Sequence, residues 1–282
     1  MTITLRAMTA ADADYGWSLT QQMNWPHRLE DWRDALQLGE GLVAEDRGQP
    51  VGTALCWRWG DRWATIGLVV VDGQQQGRGI GRMLMEGLLA GLDGYQVRLH
   101  ATAAGQGLYA RLGFAPVGEI HQYQCPRLPA FAAPVLLDGQ RLRAAALDDA
   151  PYLTALDQQA HGLARPALIA WLLRQSAQSR VLEQHGRTAG FAALRRFGRG
   201  YAIGPVIADS ADNARRLIGA LMAEVSGEFV RIDSDAALGL GSWLADCGLQ
   251  QVDAPVTMIR GAPWQPKAHG MRAWALMTQA MA

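Results

Sequence analysis

Apolar positions along the chain alternate between two rhythms. Ile80, Met83, Leu84, Leu88 and Leu92 fall three or four apart, the stripe of a helix packed on a sheet. Just before and after it, WATIGLVVV and YQVRLHA are short, β-branched or alternating runs, with Val97 and Leu99 on one face. Extended over the first 125 residues, the pattern predicts a strand at Ile3–Ala7 and helices at about Ala10–Gln22 and Leu29–Leu38. Strands follow at Gly41–Asp46, Pro50–Trp59 and Arg62–Val71, then the striped helix and a strand at Tyr95–Ala101. A short helix in AGQGLYARLG and a strand in FAPVGEIHQYQ complete the unit. Antiparallel strands early and a βαβαβ order late make a mixed α/β domain.

The pattern then repeats. At an offset of 137, LRAMTAADADYGWSLTQQ (5–22) lies over LRAAALDDAPYLTALDQQ (142–159), and ATIGLVVVD (64–72) lies over YAIGPVIAD (201–209). Two copies are too few for a solenoid, so the chain reads as a duplicated domain. The intervening PRLPAFAAPVLLDG has three prolines and cannot sustain a helix or a central strand. The expected division is therefore 1–125, a linker at 126–140, and 141–282.

Composition narrows the class. Hydrophobic residues make up 49% and charged residues 18%, enough apolar mass for a core in each half. The 26 basic and 26 acidic side chains cancel, so no global field favours nucleic acid or anionic lipid, and a small-molecule partner is expected. Three cysteines without CxxC spacing argue against zinc or a disulfide framework. No run approaches the length that crosses a bilayer, and a soluble, cytoplasmic protein, monomer or homodimer, is expected.

Between strand and striped helix lies DGQQQGRGIGR. A P-loop would need GxxxxGK followed by Ser or Thr, and no lysine is near. A dinucleotide GxGxxG starting at Gly77 or Gly79 would need its last glycine at Arg82 or Leu84. What remains is Gln-x-x-Gly-x-Gly, with Gln76, Gly79 and Gly81. Glycines allow a close approach to the helix N-terminus, whose free N–H groups and dipole bind phosphate, and Arg78 and Arg82 add charge beside it. A pyrophosphate suits such a loop.

With QGRGIG here and LYARLGF at 108–114, the sequence resembles the GNAT N-acetyltransferase superfamily. The resemblance implies two GNAT-like mixed-sheet domains in tandem and acetyl-CoA as the acyl donor. It implies a donor site at Gln76, Gly77, Arg78, Gly79, Gly81 and Arg82, with the backbone of Val69 and Val71 holding the pantetheine. It implies Tyr109 as the acid that protonates the departing sulfur. Thr102 stands where many members carry Asn. Some relatives place a glutamate on the strand before the loop as base, but WATIGLVVV has no carboxylate, and Glu119 and His121 are the substitutes by position.

The second copy departs from the motif. Gln76, Gly79 and Gly81 become Asn213, Arg216 and Ile218, and Leu244 stands opposite Tyr109. This copy is expected to keep the fold, lose the donor site and shape the acceptor pocket, lock the two halves together or mediate dimerisation. The expected reaction is direct transfer of an acetyl group to a small-molecule primary amine. A non-catalytic acyl-CoA sensor and a purely structural duplication are the alternatives. Trp25, Trp32, Trp57, Trp59 and Trp63 are expected to wall the acceptor site or to pack in the core. RRFGRGY (195–201) reads as a charged hairpin, with contact to an anionic acceptor as the less frequent explanation, and His100 receives no role.

Overall fold

A computed structural model describes residues 3–281. The first copy runs β1 (Ile3–Ala7), α1 (Ala13–Gln22), α2 (Leu29–Leu38), β2 (Glu40–Asp46), β3 (Gln49–Trp59), β4 (Trp63–Val71), α3 (Ile80–Ala90), β5 (Gln96–Ala101), α4 (Ala103–Arg111) and β6 (Ala115–Cys125). The second runs β7 (Gln140–Ala144), α5 (Ala150–His161), α6 (Pro166–Gln175), β8 (Gln178–Gln184), β9 (Arg187–Phe197), β10 (Gly200–Ala208), α7 (Ala211–Ala223), β11 (Val230–Asp235), α8 (Gly241–Asp246), β12 (Gln250–Asp253), β13 (Val256–Arg260) and β14 (Arg272–Ala275). The elements of the first copy match the expected ones within a residue or two at most boundaries. At the first helix, residues 10–12 form a 3-10 turn before α1.

The copies correspond element for element, but the register is not constant. β8 and β9 sit one residue later than the constant offset, and the β9–β10 hairpin is one residue shorter than the β3–β4 hairpin, which restores it. β3 and β9 therefore share one alternation of burial, with Trp57 and Arg195 at equivalent places.

The strands form one continuous sheet in the order β1-β2-β3-β4-β5-β13-β6-β11-β14-β10-β9-β8-β7, with β12 beside β6. Its centre is an exchange of strands. β6 of the first copy runs antiparallel to β11 of the second (Val230↔Cys125 to Asp235↔Ile120), while β13 of the second runs antiparallel to β5 of the first (Val256↔Ala101 to Arg260↔Val97). β6 and β13 pair with each other between them. Each half of the sequence thus completes the other's sheet, and the boundary at 125 in the sequence is not a boundary between two separate bodies.

Three apolar clusters follow. One packs α3 on the first copy's strands, with Ile80, Leu84, Met85 and Leu88, and its counterpart packs α7 on the second's, with Leu217, Ile218 and Leu221. The third is shared: Trp32 and Trp57 of the first copy meet Leu163, Trp171 and Met277 of the second. The linker, residues 126–139, has no helix or strand, yet Leu128 is buried and exchanges backbone hydrogen bonds with Gly227 and Glu228. Among the described residues no helix is long and apolar enough to cross a membrane.

Candidate active site

β4 and β5 run parallel only through Trp63–Thr65 and Gln96–Arg98, then splay apart. Beyond the splay, β4 carries one residue more than β3: Leu55 faces Gly67, but Thr53 faces Val70. Such a bulge bends the strand and lifts one residue out of the ladder. Leu68 there is buried and held at φ +52, a conformation that costs a leucine energy.

The loop after β4 has the geometry of an anion cradle. Asp72 accepts from Gln74 N–H at 2.9 Å and turns the chain. Gly77 and Gly79 follow with φ of +78 and +77, left-handed values that favour glycine, and nothing lies within 4 Å of where a Cβ would stand on either. Gly79 caps α3, whose first turn leaves its N–H groups facing this open space. A phosphate fits such a place, so the residues present suit the pyrophosphate of an acyl-CoA.

The flanking side chains are engaged. Gln76 donates to Val71 O at 3.4 Å, Arg78 pairs with Asp46 at 2.8 Å, and Arg82 pairs with Glu86 one turn on at 2.7 Å. These exposed pairs contribute little, so exchanging a carboxylate for a phosphate costs little. Val69 and Val71 lie on the splayed stretch of β4, half-buried.

Tyr109 lies on α4, its ring edge-on to Phe114 at 6.1 Å. Burial pushes its phenol up to about 12, which keeps it protonated at neutral pH. Thr102 is at the start of α4 and lines the cavity described next.

A cavity of about 370 Å³ opens where the splay begins, with Ile66, Gly67, Leu68 and His100 on one side. The tryptophan question divides here. Trp25 lines the cavity, but Trp32, Trp57 and Trp59 are core residues whose indole N–H groups donate to Thr20, Ala35 and Thr65 respectively. Trp63 is also buried, under the Arg98 guanidinium. The second copy supplies its own aromatic walls, Trp171 and Phe197.

Glu119 and His121 do not reach this cavity. Along β6 the alternating Gln122 and Gln124 line it, while His121 and Tyr123 face a shallow depression beside Ser234 and Asp235. Glu119 touches His121 at 3.4 Å and is largely exposed. The period-2 alternation of a strand sends adjacent residues to opposite faces, and the candidates fell on the other one.

Residues without an assigned role in the sequence do line the cavity. From α2 and the loop before it come His27, Asp31 and Asp34. Asp31 is satisfied: Arg28 pairs with it at 2.7 Å and Gly198 N–H donates to it at 3.0 Å. Burial depresses His27 to about 4, so it is neutral. Asp34 has no hydrogen bond or ion pair among the described residues, and burial together with the charge of Asp31 pushes its carboxyl up. The RRFGRGY segment is indeed a hairpin, but Arg195, Phe197 and Arg199 line the cavity, and His100 does too. The one advance signal was the density of charge in HRLEDWRDAL and RRFGRG.

The C-terminal tail closes the floor. β14 lies between β10 and β11, pairing Val206↔Ala275 and Ser234↔Ala275, so it fills the second copy's own splay. Beyond it, Met277 to Met281 line the cavity, Ala280 packs on Gly67, and Arg165 donates to Met281 O at 2.7 Å. Asp157 holds Arg165 with two bonds of 2.7 and 2.8 Å.

The second copy also differs at the counterparts of the glycine loop and the bulge. α7 begins at Ala211, the counterpart of Gln74, so helix replaces the glycine loop. Its N-terminus is capped by Ser210, and Asn213 is buried between Asp209 (2.8 Å) and Gln140 (3.0 Å). At the bulge, Pro205 stands where the first copy has Leu68 and brings no N–H.

Two models of the GNAT acetyltransferase domain match the chain, over residues 37–116 and 153–271. YitH of Bacillus subtilis (strain 168), an uncharacterized N-acetyltransferase, is 29% identical over 225 residues, which are 78% of this chain and 77% of that protein. Among solved structures, a candidate acetyltransferase from Pyrococcus horikoshii has the same fold, with a TM-score of 0.78 and 22% identity over 99% of this chain and 96% of that one. A tandem GNAT protein from the clavulanic acid biosynthesis pathway shares it too, with a TM-score of 0.63 and 14% identity over 94% of this chain and all of the other. The chain is an acetyltransferase that belongs to the GNAT superfamily and carries two of its domains in tandem.

Proposed function

We propose that the chain transfers an acetyl group from acetyl-CoA to the primary amine of a small molecule, with one donor site per chain, in the first copy. The observation that carries this reading is the junction of three features at Gly67–Leu68: the open splay, the glycine cradle beyond it, and the cavity built by both copies. The thioester supplies the activated acyl group. Gly77, Gly79 and the first turn of α3 bind the pyrophosphate, and the free edge of β4 at Val69 and Val71 orients the pantetheine.

The chain's residues then divide the proton work. An amide of the bulge at Leu68 donates to the carbonyl oxygen as charge develops on it, which a dry site makes effective. The amine attacks the carbonyl carbon, the N–C bond forms and the C–S bond breaks. The sulfur leaves as a thiolate and takes its proton from Tyr109. The amine must lose a proton, and we assign it to Asp34, the cavity carboxylate that burial makes more basic. Glu119 and His121 have no part in this scheme, because they face away from the cavity.

The test is incubation with acetyl-CoA and a panel of small amines, following free thiol and the mass of the acetylated product. Stoichiometric thiol and product support the reading. Acetyl-CoA binding without turnover on any amine would return the chain to the sensor alternative.

A further inference from the structure

Arg195 is anomalous for its position. Its counterpart on β3 is Trp57, a fully buried tryptophan, yet here a guanidinium stands with 4% of its surface exposed. Removing a charge from water costs several kcal/mol unless partners replace the water. Arg195 has few. Nη2 donates to Met277 O, Nε is buried without any partner, and no carboxylate pairs with it among the described residues. The neighbouring Arg231 differs, since Asp233 holds it at 2.8 Å. The Arg195 guanidinium carbon lies over the Phe197 ring, 4.8 Å from its centroid. Burial lowers Arg195 to about 10, so it stays cationic at neutral pH.

Asp34 presents the complementary case. It is a half-buried carboxylate in the wall of the same cavity, also without a partner. Each group influences the other's proton affinity, yet the two do not pair with each other. The cavity therefore offers one buried cation and one half-buried anion, neither in an ion pair among the described residues, with Trp25, Trp171 and Phe197 on its walls, while the further cation Arg199 stands exposed at its rim. A plain alkyl amine would satisfy Asp34 and leave Arg195 orphaned. An acceptor with both charges would satisfy both.

We propose that the acceptor is a zwitterionic amino acid or a close analogue, its carboxylate held by Arg195, its amine directed by Asp34, and an apolar or aromatic side chain set against Trp25 and Trp171. This rests on the transferase reading above and names its substrate class. A site built around a buried polar group discriminates strongly against analogues that lack the partner, because the group is then left unpaired.

The experiment uses matched pairs on the full chain with saturating acetyl-CoA: phenylalanine and phenethylamine, tryptophan and tryptamine, methionine and 3-(methylthio)propylamine. For at least one pair, kcat/KM for the amino acid should exceed that for its decarboxylated amine by about a hundredfold or more. Arg195→Met should bring that ratio near one, mainly through KM, and Arg195→Lys should recover only part of it, since a point charge cannot form the fork. Melting temperature and acetyl-CoA stoichiometry check that the variants fold. Equal turnover of both members of every pair, or a preference that survives Arg195→Met, overturns the proposal and leaves the transferase reading standing. Should no amine be acetylated, that reading fails, and thermal shift then decides this one. The amino acids at about 10 mM should raise the melting temperature of the acetyl-CoA-saturated chain more than their amines do, and no difference overturns the proposal.

Discussion

The two copies keep one charged clamp in nearly the same geometry. Arg6 donates to both carboxylate oxygens of Asp12 at 2.9 and 2.7 Å and to Glu45 at 2.6 Å. Arg143 does so to Asp149 at 2.7 and 2.8 Å and to Glu183 at 2.6 Å. The clamp ties the first strand to the turn that opens the following helix and to the second strand in both copies. The copies part at the loop and splay beyond the third and fourth strands. One has a glycine cradle, an open splay and an amide in the bulge, while the other has a capped helix, a splay filled by β14, and proline. The framework is thus alike in both copies, while in the second the gap between β10 and β11 is filled by the chain's own β14. The comparison teaches that a splayed sheet leaves strand edges unpaired, and that where no ligand is to occupy the gap another strand can.

The comparison can be broken most severely by separating the copies. Residues 1–125 lack β13 and β11, so β5 and β6 lose their partner strands from the other half. The fragment should show no cooperative thermal transition and no acetyl-CoA binding by calorimetry; cooperative melting would mean the exchanged strands are dispensable.

Next in size is the cradle itself. Gly79→Glu sets a side chain at φ +77 and a carboxylate at the helix N-terminus, and should abolish acetyl-CoA binding. Arg216→Ala at the counterpart should leave affinity unchanged. Calorimetry that finds two sites per chain would contradict the assignment of the donor site to one copy.

The filled splay is tested by Trp274, buried on β14 with its indole donating to Ala208 O at 3.0 Å. Trp274→Ala should cost about 3–5 kcal/mol by chemical denaturation. A loss below about 1 kcal/mol would show that β14 does not hold the splay.

Tyr109→Phe keeps the ring against Phe114 and removes the proton. kcat should fall by about a hundredfold or more, with affinity for acetyl-CoA and melting temperature little changed. The loss should lessen when the leaving thiol is made more acidic. Unchanged kcat would assign Tyr109 to packing.

The smallest effect concerns the shared clamp. The Arg6 guanidinium holds the Asp12 carboxyl down to about 2, below its ordinary value, and Arg143 lowers Asp149 in the same direction. A depressed carboxyl stabilises the fold fully above its unfolded value, about 3.9, and that stabilisation disappears as pH falls through the folded value. Asp12→Asn should remove about 1–2 kcal/mol at pH 7, with the gap to the parent closing as pH falls towards 2, and Asp149→Asn should destabilise in the same direction, with a gap that also narrows in acid. A gap that stays constant with pH would show that the carboxylates act by packing rather than charge.

Much of this was legible in the sequence. The stripe at Ile80–Leu92, the glycines at 77 and 79 and the Leu–Tyr helix at 108–109 are local patterns, so elements and cradle followed from them. The replacement of Leu68 by Pro205 was also in plain view at the copied strand, although the loss of an amide becomes meaningful only once a bulge is known to be there. Glu119 and His121 lie on the face of β6 away from the cavity, because proximity in sequence to the motif is not orientation and a one-residue step on a strand reverses the face.

By itself the sequence determined what is set within one turn or one strand: the periodicities, the duplication, the left-handed glycines and the helix starts. Those depend on neighbours a few residues away. The tertiary structure alone decided that β6 and β13 exchange sheets, that residues 272–275 enter the second splay, and that Asp34, Arg195 and Met277–Met281 share a cavity. These residues are separated by up to most of the chain. No local pattern encodes which strand edge a segment will satisfy, because every edge offers the same backbone donors and acceptors, and only the packed whole selects among them.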